Sequence, residues 1–142
     1  MKRTVSTLAA AAVAWVALAS PASAHHSAAM FDRDRTVTLQ GVIRKWEWTN
    51  PHAWVWVDVP KAGGGTQAWG LELAALSMLR RGGFSHDTFK AGEKVTMLIH
   101  PEKDGSPGGQ FLKATFADGR TLVDPAAPTS NVLPVTAGAS GG

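Results

Sequence analysis

Two adjacent histidines, His25 and His26, stand directly behind Ala22-Ser23-Ala24, a small-x-small triplet that an export protease would cut. A cut after Ala24 gives His25 the α-amine of the mature chain. An amino-terminal histidine can offer that amine and its ring Nδ1 to one metal ion, a chelate that no internal residue can form. A third nitrogen from another histidine completes a T-shaped three-nitrogen set. Divalent copper favours such nitrogen sites and heads the affinity order of the first-row divalent ions. The nitrogens bind in their deprotonated forms, so the site weakens as pH falls. His26 offers a competing mode through the amine, its own deprotonated amide and its ring. The bland alternative is a solvated His–His end that binds transition metals weakly.

The third nitrogen has two candidates. His52 follows the Asn50-Pro51 turn at the start of a strand, near a barrel rim where a chain terminus could meet it. Its ordinary role there would be to cap the turn through a backbone hydrogen bond. His100 closes a later strand before Pro101 and ranks second. His86, in Ser85-His86-Asp87, reads as a surface residue. Met30 could add a soft thioether, but a Met followed by Phe31 reads more simply as packing. Glu72, a carboxylate between Leu71 and Leu73, depends on hairpin register. With His52 opposite Leu73, Glu72 points away; a slip of one residue brings it to the His52 face, where it could orient the imidazole.

Tryptophan supports a second kind of function. Five of the six tryptophans follow the leader: Trp46 and Trp48 on one face of a strand, Trp54 and Trp56 on one face of the next, and Trp69 on a third. Such rings could form a platform for a partner protein or an extended small ligand such as a sugar, a peptide or a planar cofactor. The alternative is a second small core covered by the helix, the amino-terminal arm or the tail. Enzyme signatures are thin. No nucleophile elbow, zinc-protease helix, paired-carboxylate motif or phosphate-cradling loop stands in the chain. A domain of this kind reads as a carrier or sensor of metal rather than a catalyst.

These residues need elements to hold them. Residues 36–48 alternate Val37, Leu39, Gly41 and Ile43 against polar neighbours, with Gly41 marking a bulge or bend. Residues 52–59 make a second strand with Val55, Val57 and Val59 on one face, and residues 66–73 a third beyond the Gly63-Gly64-Gly65 loop. Residues 74–81 switch to a helical pattern with Leu76 and Leu79 on one face and Met78 a further candidate for it, ended by Gly82-Gly83. Residues 93–100 and 110–117 are the fourth and fifth strands, and residues 120–123 a short edge segment. Three strands, one short helix, then two strands is the order of a small five-stranded OB-like barrel, a mainly β fold. An immunoglobulin-like sandwich is the alternative, but it would want more strands and no helix.

The compartment follows from the first residues. Met1-Lys2-Arg3, an apolar run over 5–19 and the Ala22-Ser23-Ala24 site have the plan of a secretory signal peptide, too short to span a bilayer comfortably. The alternative is an uncleaved anchor. The expected organisation is a leader over 1–24, an arm over 25–35, a barrel over 36–123 and a disordered polar tail over 124–142, in a periplasmic or secreted protein with no transmembrane helix once mature. The leader takes Lys2 and Arg3 with it, so the net charge of +3 falls almost to neutral. No basic run points to nucleic acid. There is no cysteine, which removes disulfides, thiolate metal sites and cysteine nucleophiles.

His25-His26-Ser27, Met30-Phe31-Asp32, Asn50-Pro51-His52-Ala53-Trp54, Trp69-Gly70-Leu71-Glu72 and Ala117-Asp118-Gly119-Arg120-Thr121 together resemble a family of small exported bacterial proteins catalogued only as a domain of unknown function. The resemblance spans residues 25–123. It implies export and a single small domain and supplies no activity. One departure is visible: an aromatic residue would be expected where Ala28 or Ala29 stands.

Overall fold

The structure is a computed structural model and describes residues 28–127. Strand β1 (Val37–Glu47) is long enough to serve two neighbours. Its first half pairs antiparallel with β4 (Lys94–Pro101), and its second half pairs antiparallel with β2 (Trp54–Pro60). The change of partner falls at Gly41 and Val42. A Cβ on Gly41 would collide with the Asp58 carbonyl oxygen of β2, so only glycine permits the bend there. A bulge between Ile43 and Lys45 follows. It adds Arg44 to the outer surface and changes which side chains face inward.

The β2–β3 hairpin turns through Gly63, Gly64 and Gly65, all with positive φ, and leads into β3 (Thr66–Glu72). Strand β5 (Gly108–Phe116) pairs antiparallel with β4 and, over Gly108, Gly109 and Gln110, parallel with Gly70, Leu71 and Glu72 of β3. That last pairing closes the sheet into a five-stranded barrel. β6 (Thr121–Val123) adds a short outer strand to β5. The OB-like order read from the sequence is the observed one, with the short helix between β3 and β4.

Alternation fills the interior. Leu39, Ile43, Val55, Val57, Leu71, Met97, Ile99, Phe111 and Ala114 make one buried cluster. Helix α1 (Leu76–Arg81) adds Leu76 and Leu79 to it, and Phe84 and Phe89 follow from the connector. The helix starts two residues later than its composition suggests because Ala75 is still extended, with ψ of 146°. It lacks a side-chain cap of its own. The Ala74 N–H instead donates to Asp124 Oδ2 at 3.0 Å.

Asp124 is therefore not the start of a loose tail. It is buried, its N–H donates to Leu112 O at 2.9 Å, and Pro125 packs against Gly82. The rest of the segment read as disordered, 128–142, and the leader lie outside the described residues. At the other end, the arm is pinned to the β4–β5 loop. Asp32 N–H donates to Pro101 O, Lys103 N–H to Met30 O, and Phe31 bridges to Glu102. Phe31 is buried while Met30 is 40% exposed, so the packing expected of this pair rests on the phenylalanine. Among the described residues no helix is long and apolar enough to cross a membrane.

Candidate functional site

The register of the β2–β3 hairpin decides the site. Trp54 lies opposite Glu72, Val55 opposite Leu71 and Trp56 opposite Gly70. Of the two registers the sequence allows, this is the one that puts Glu72 on the face of His52, Trp54 and Trp56. His52 follows the cis Asn50–Pro51 peptide and turns its ring to Glu72, where the Nδ1–H donates to the carboxylate Oε1. The two partners differ in burial: the His52 side chain is 41% exposed, the Glu72 side chain 8%.

A buried carboxylate that holds one ring nitrogen of a half-exposed histidine fixes both tautomer and ring plane. It leaves Nε2 as the nitrogen able to bind something else. That ring borders a cleft of about 210 Å³ lined also by Phe31, Glu72, Met78, Gln110 and Ala126. The arm, the turn before β2, β3, α1, β5 and the segment after β6 thus all contribute to its walls.

Asp124 stands behind this cleft. Its Oδ2 accepts from Ala74 N–H and its Oδ1 from Ala126 N–H at 2.8 Å. Burial pushes its carboxyl above the ordinary aspartate value, outweighing the downward pull of the two backbone donors and of nearby His52. The pairing of Asp124 with the start of α1 fixes the wall on which Met78 sits. Residue types around Asp124 do not reveal its importance, because it opens a stretch rich in Pro and Ala.

The other candidates are dispersed. His25 and His26 lie outside the described residues. His100 is 1% exposed and its Nδ1–H donates to Arg35 O at 2.7 Å, which holds the ring inside the fold rather than at the His52 cleft. His86 is exposed and pairs with Asp87 at 3.0 Å. Among the described residues no three His, Asp or Glu side chains come together so as to hold a metal ion. What the described residues bring together is one imidazole, that of His52, oriented by Glu72.

The tryptophans divide between two faces. Beyond the bulge Trp46 pairs with Val55, so Trp46 and Trp48 turn toward the core and pack against it, as does Trp69. Trp46 meets Phe89 edge-on at 5.0 Å and donates its Nε1–H to Ser85 O; Arg80 stands 5.8 Å over Trp48. Trp54 and Trp56 occupy the outer face, stacked with ring centroids 6.3 Å apart. The Trp56 Nε1–H donates to Glu47 Oε2 at 2.9 Å. Its ring lies over Gly70, where a Cβ would come within 2.9 Å of it. Lys45 and then Trp56 hold the Glu47 carboxyl below its ordinary range.

Compared with known proteins, residues 12–111 match a family of unknown function (DUF6152), a span that includes both His52 and Glu72. No curated protein and no solved structure matches the chain.

Proposed function

The chain belongs to a family of unknown function, DUF6152, so its role must be argued from its own residues, and we propose that it is an exported copper-binding protein. In this reading the mature chain begins at His25. The His25 amine and ring Nδ1 chelate divalent copper, and His52 Nε2 supplies the third nitrogen.

The observation that carries the proposal is the His52–Glu72 pair at the mouth of a cleft that Phe31 also lines. Carboxylate-held imidazoles are the usual form of a metal-ligating histidine, because the carboxylate fixes the ring and raises its basicity. His25 lies six residues before Phe31, and six residues span at most about 20 Å. The amine is therefore within chain reach of the His52 ring. His26 is a competing ligand, and buried His100 is the weaker choice for the third nitrogen.

Intact-mass measurement of the secreted protein should find His25 first. Titration of that material with cupric ion should reveal one stoichiometric site. The site should be lost in His52→Ala and in a variant carrying one extra alanine before His25. Undiminished binding by the extended variant would remove the amine from the ligand set and with it this proposal.

A second reading is favoured by one observation, the stacked Trp54–Trp56 pair on the outer face. It makes the protein a binding module for a flat ligand or partner protein on that pair alone, with Trp46, Trp48 and Trp69 as structural residues. Ligand-dependent quenching that vanishes in Trp56→Ala, with no effect of copper, would favour it over the metal reading.

A further inference from the structure

We infer that the same cleft also binds cuprous copper, through His52 Nε2 and the thioether of Met78. The inference takes His52 as a ligand from the proposal above and adds a second oxidation state of the metal. Monovalent copper is a soft ion, and thioether sulfur is among the ligands that select it. The chain has no cysteine, so sulfur can come only from methionine. Of its four methionines, Met1 falls in the proposed leader and Met97 is fully buried in the core. Met30 is exposed and is not among the residues lining the cleft, whereas Met78 lines it together with His52 and Glu72.

The placement of Met78 has a local cause. Helix α1 presents Leu76 and Leu79 to the core, and the residue between them along the turn is left half-buried at the cleft wall. The Met78 N–H donates to Ala75 O at 2.9 Å, and Asp124 anchors Ala74 just before it. The sulfur is thus carried on a fixed turn and not on a loose loop. Glu72 holds His52 Nδ1, so Nε2 remains for a soft ion of low coordination number. The two oxidation states then share His52 and differ in the rest: amine and imidazole nitrogens of His25 for the cupric ion, sulfur for the cuprous ion.

The test uses the mature protein, the same protein with one alanine before His25, and the variants Met78→Leu, Met30→Leu and His52→Ala. Leu for Met keeps volume and is well tolerated even in a core, and unfolding curves establish that each variant folds. Cuprous affinity is read anaerobically by competition with a colorimetric cuprous chelator, and sulfur ligation by X-ray absorption. The alanine-extended protein should retain cuprous binding with a sulfur neighbour. Met78→Leu and His52→Ala should lose at least about tenfold in affinity, while Met30→Leu should not. Cupric binding by Met78→Leu should be unchanged. Wild-type cuprous affinity in Met78→Leu, or a loss caused by Met30→Leu instead, overturns the inference. The cupric titration of the extended variant tests the amino-terminal chelate separately, so the two failures cannot be confused.

Discussion

The unequal burial of His52 and Glu72 makes their pairing measurable. His52→Ala leaves a carboxylate 8% exposed without the donor that faces it. Stranding a buried acceptor costs about 1–3 kcal/mol, more when it is charged. The departing ring is 41% exposed, so water can partly replace it and the lower half of that range applies. Glu72→Gln keeps the shape and an acceptor oxygen while removing the charge, and should cost less than about 1 kcal/mol. The informative variant is the double one. In His52→Ala with Glu72→Gln no charge is stranded, and a good part of the loss should return even though the ring is still missing.

Urea unfolding followed by tryptophan fluorescence is the assay. A loss of about 1.5 kcal/mol at a slope of about 1.5 kcal/mol/M moves the midpoint by about 1 M, well above error. If His52→Ala shifts the midpoint no more than Glu72→Gln does, the reasoning fails. It fails equally if the double variant is no more stable than His52→Ala. Either result would mean that Glu72 is solvated without its partner and does not orient the imidazole.

Two further substitutions probe the frame around the cleft. Burial holds the Asp124 carboxyl above its ordinary 3.8, so the folded chain binds that proton more tightly than the unfolded one. The resulting stability is full below pH 3.8 and declines as pH rises through the elevated folded value. Asp124→Asn should abolish this contribution to the acid limb. It should also cost about 1–3 kcal/mol at neutral pH by stranding one of the Ala74 and Ala126 N–H donors; denaturant curves across the acid range read both, and an unchanged limb would contradict a buried carboxyl. Gly41→Ala should cost about 1–3 kcal/mol through overpacking against the Asp58 carbonyl, seen as a Tm lowered by several degrees; an unaltered Tm would mean that β1 bends elsewhere.

Most of the barrel could be read from alternation. Val55 and Val57 on one side of β2, Leu76 and Leu79 on α1, and the order of strands and helix appear as the pattern implies. The bulge was the harder feature. Leu39 and Ile43 fall on odd numbers while Trp46 and Trp48 fall on even ones, and that change of parity marks an inserted residue. Gly41 marks the bend, but its residue type alone does not show the switch that sends Trp46 inward. The Glu72 register was not decidable from residue types. A loop with three consecutive glycines imposes no turn geometry, and both registers give β3 a plausible buried face. Asp124 was hidden for another reason: its burial comes from contacts with Leu112 and Ala74, distant in sequence, while its immediate neighbours resemble a linker.

The parallel contact between residues 70–72 and 108–110 has a bearing on how the chain matures. Until β5 is in place, the hairpin end of the first three strands offers an open row of backbone donors and acceptors beside the Glu72 carboxylate. Those strands are made first and must wait for a distant partner, which slows acquisition of the native topology and leaves an adhesive margin in the interim. The wall that positions His52 thus depends on β5, and a chain truncated before Gly108 would keep the imidazole while losing the frame that aims it.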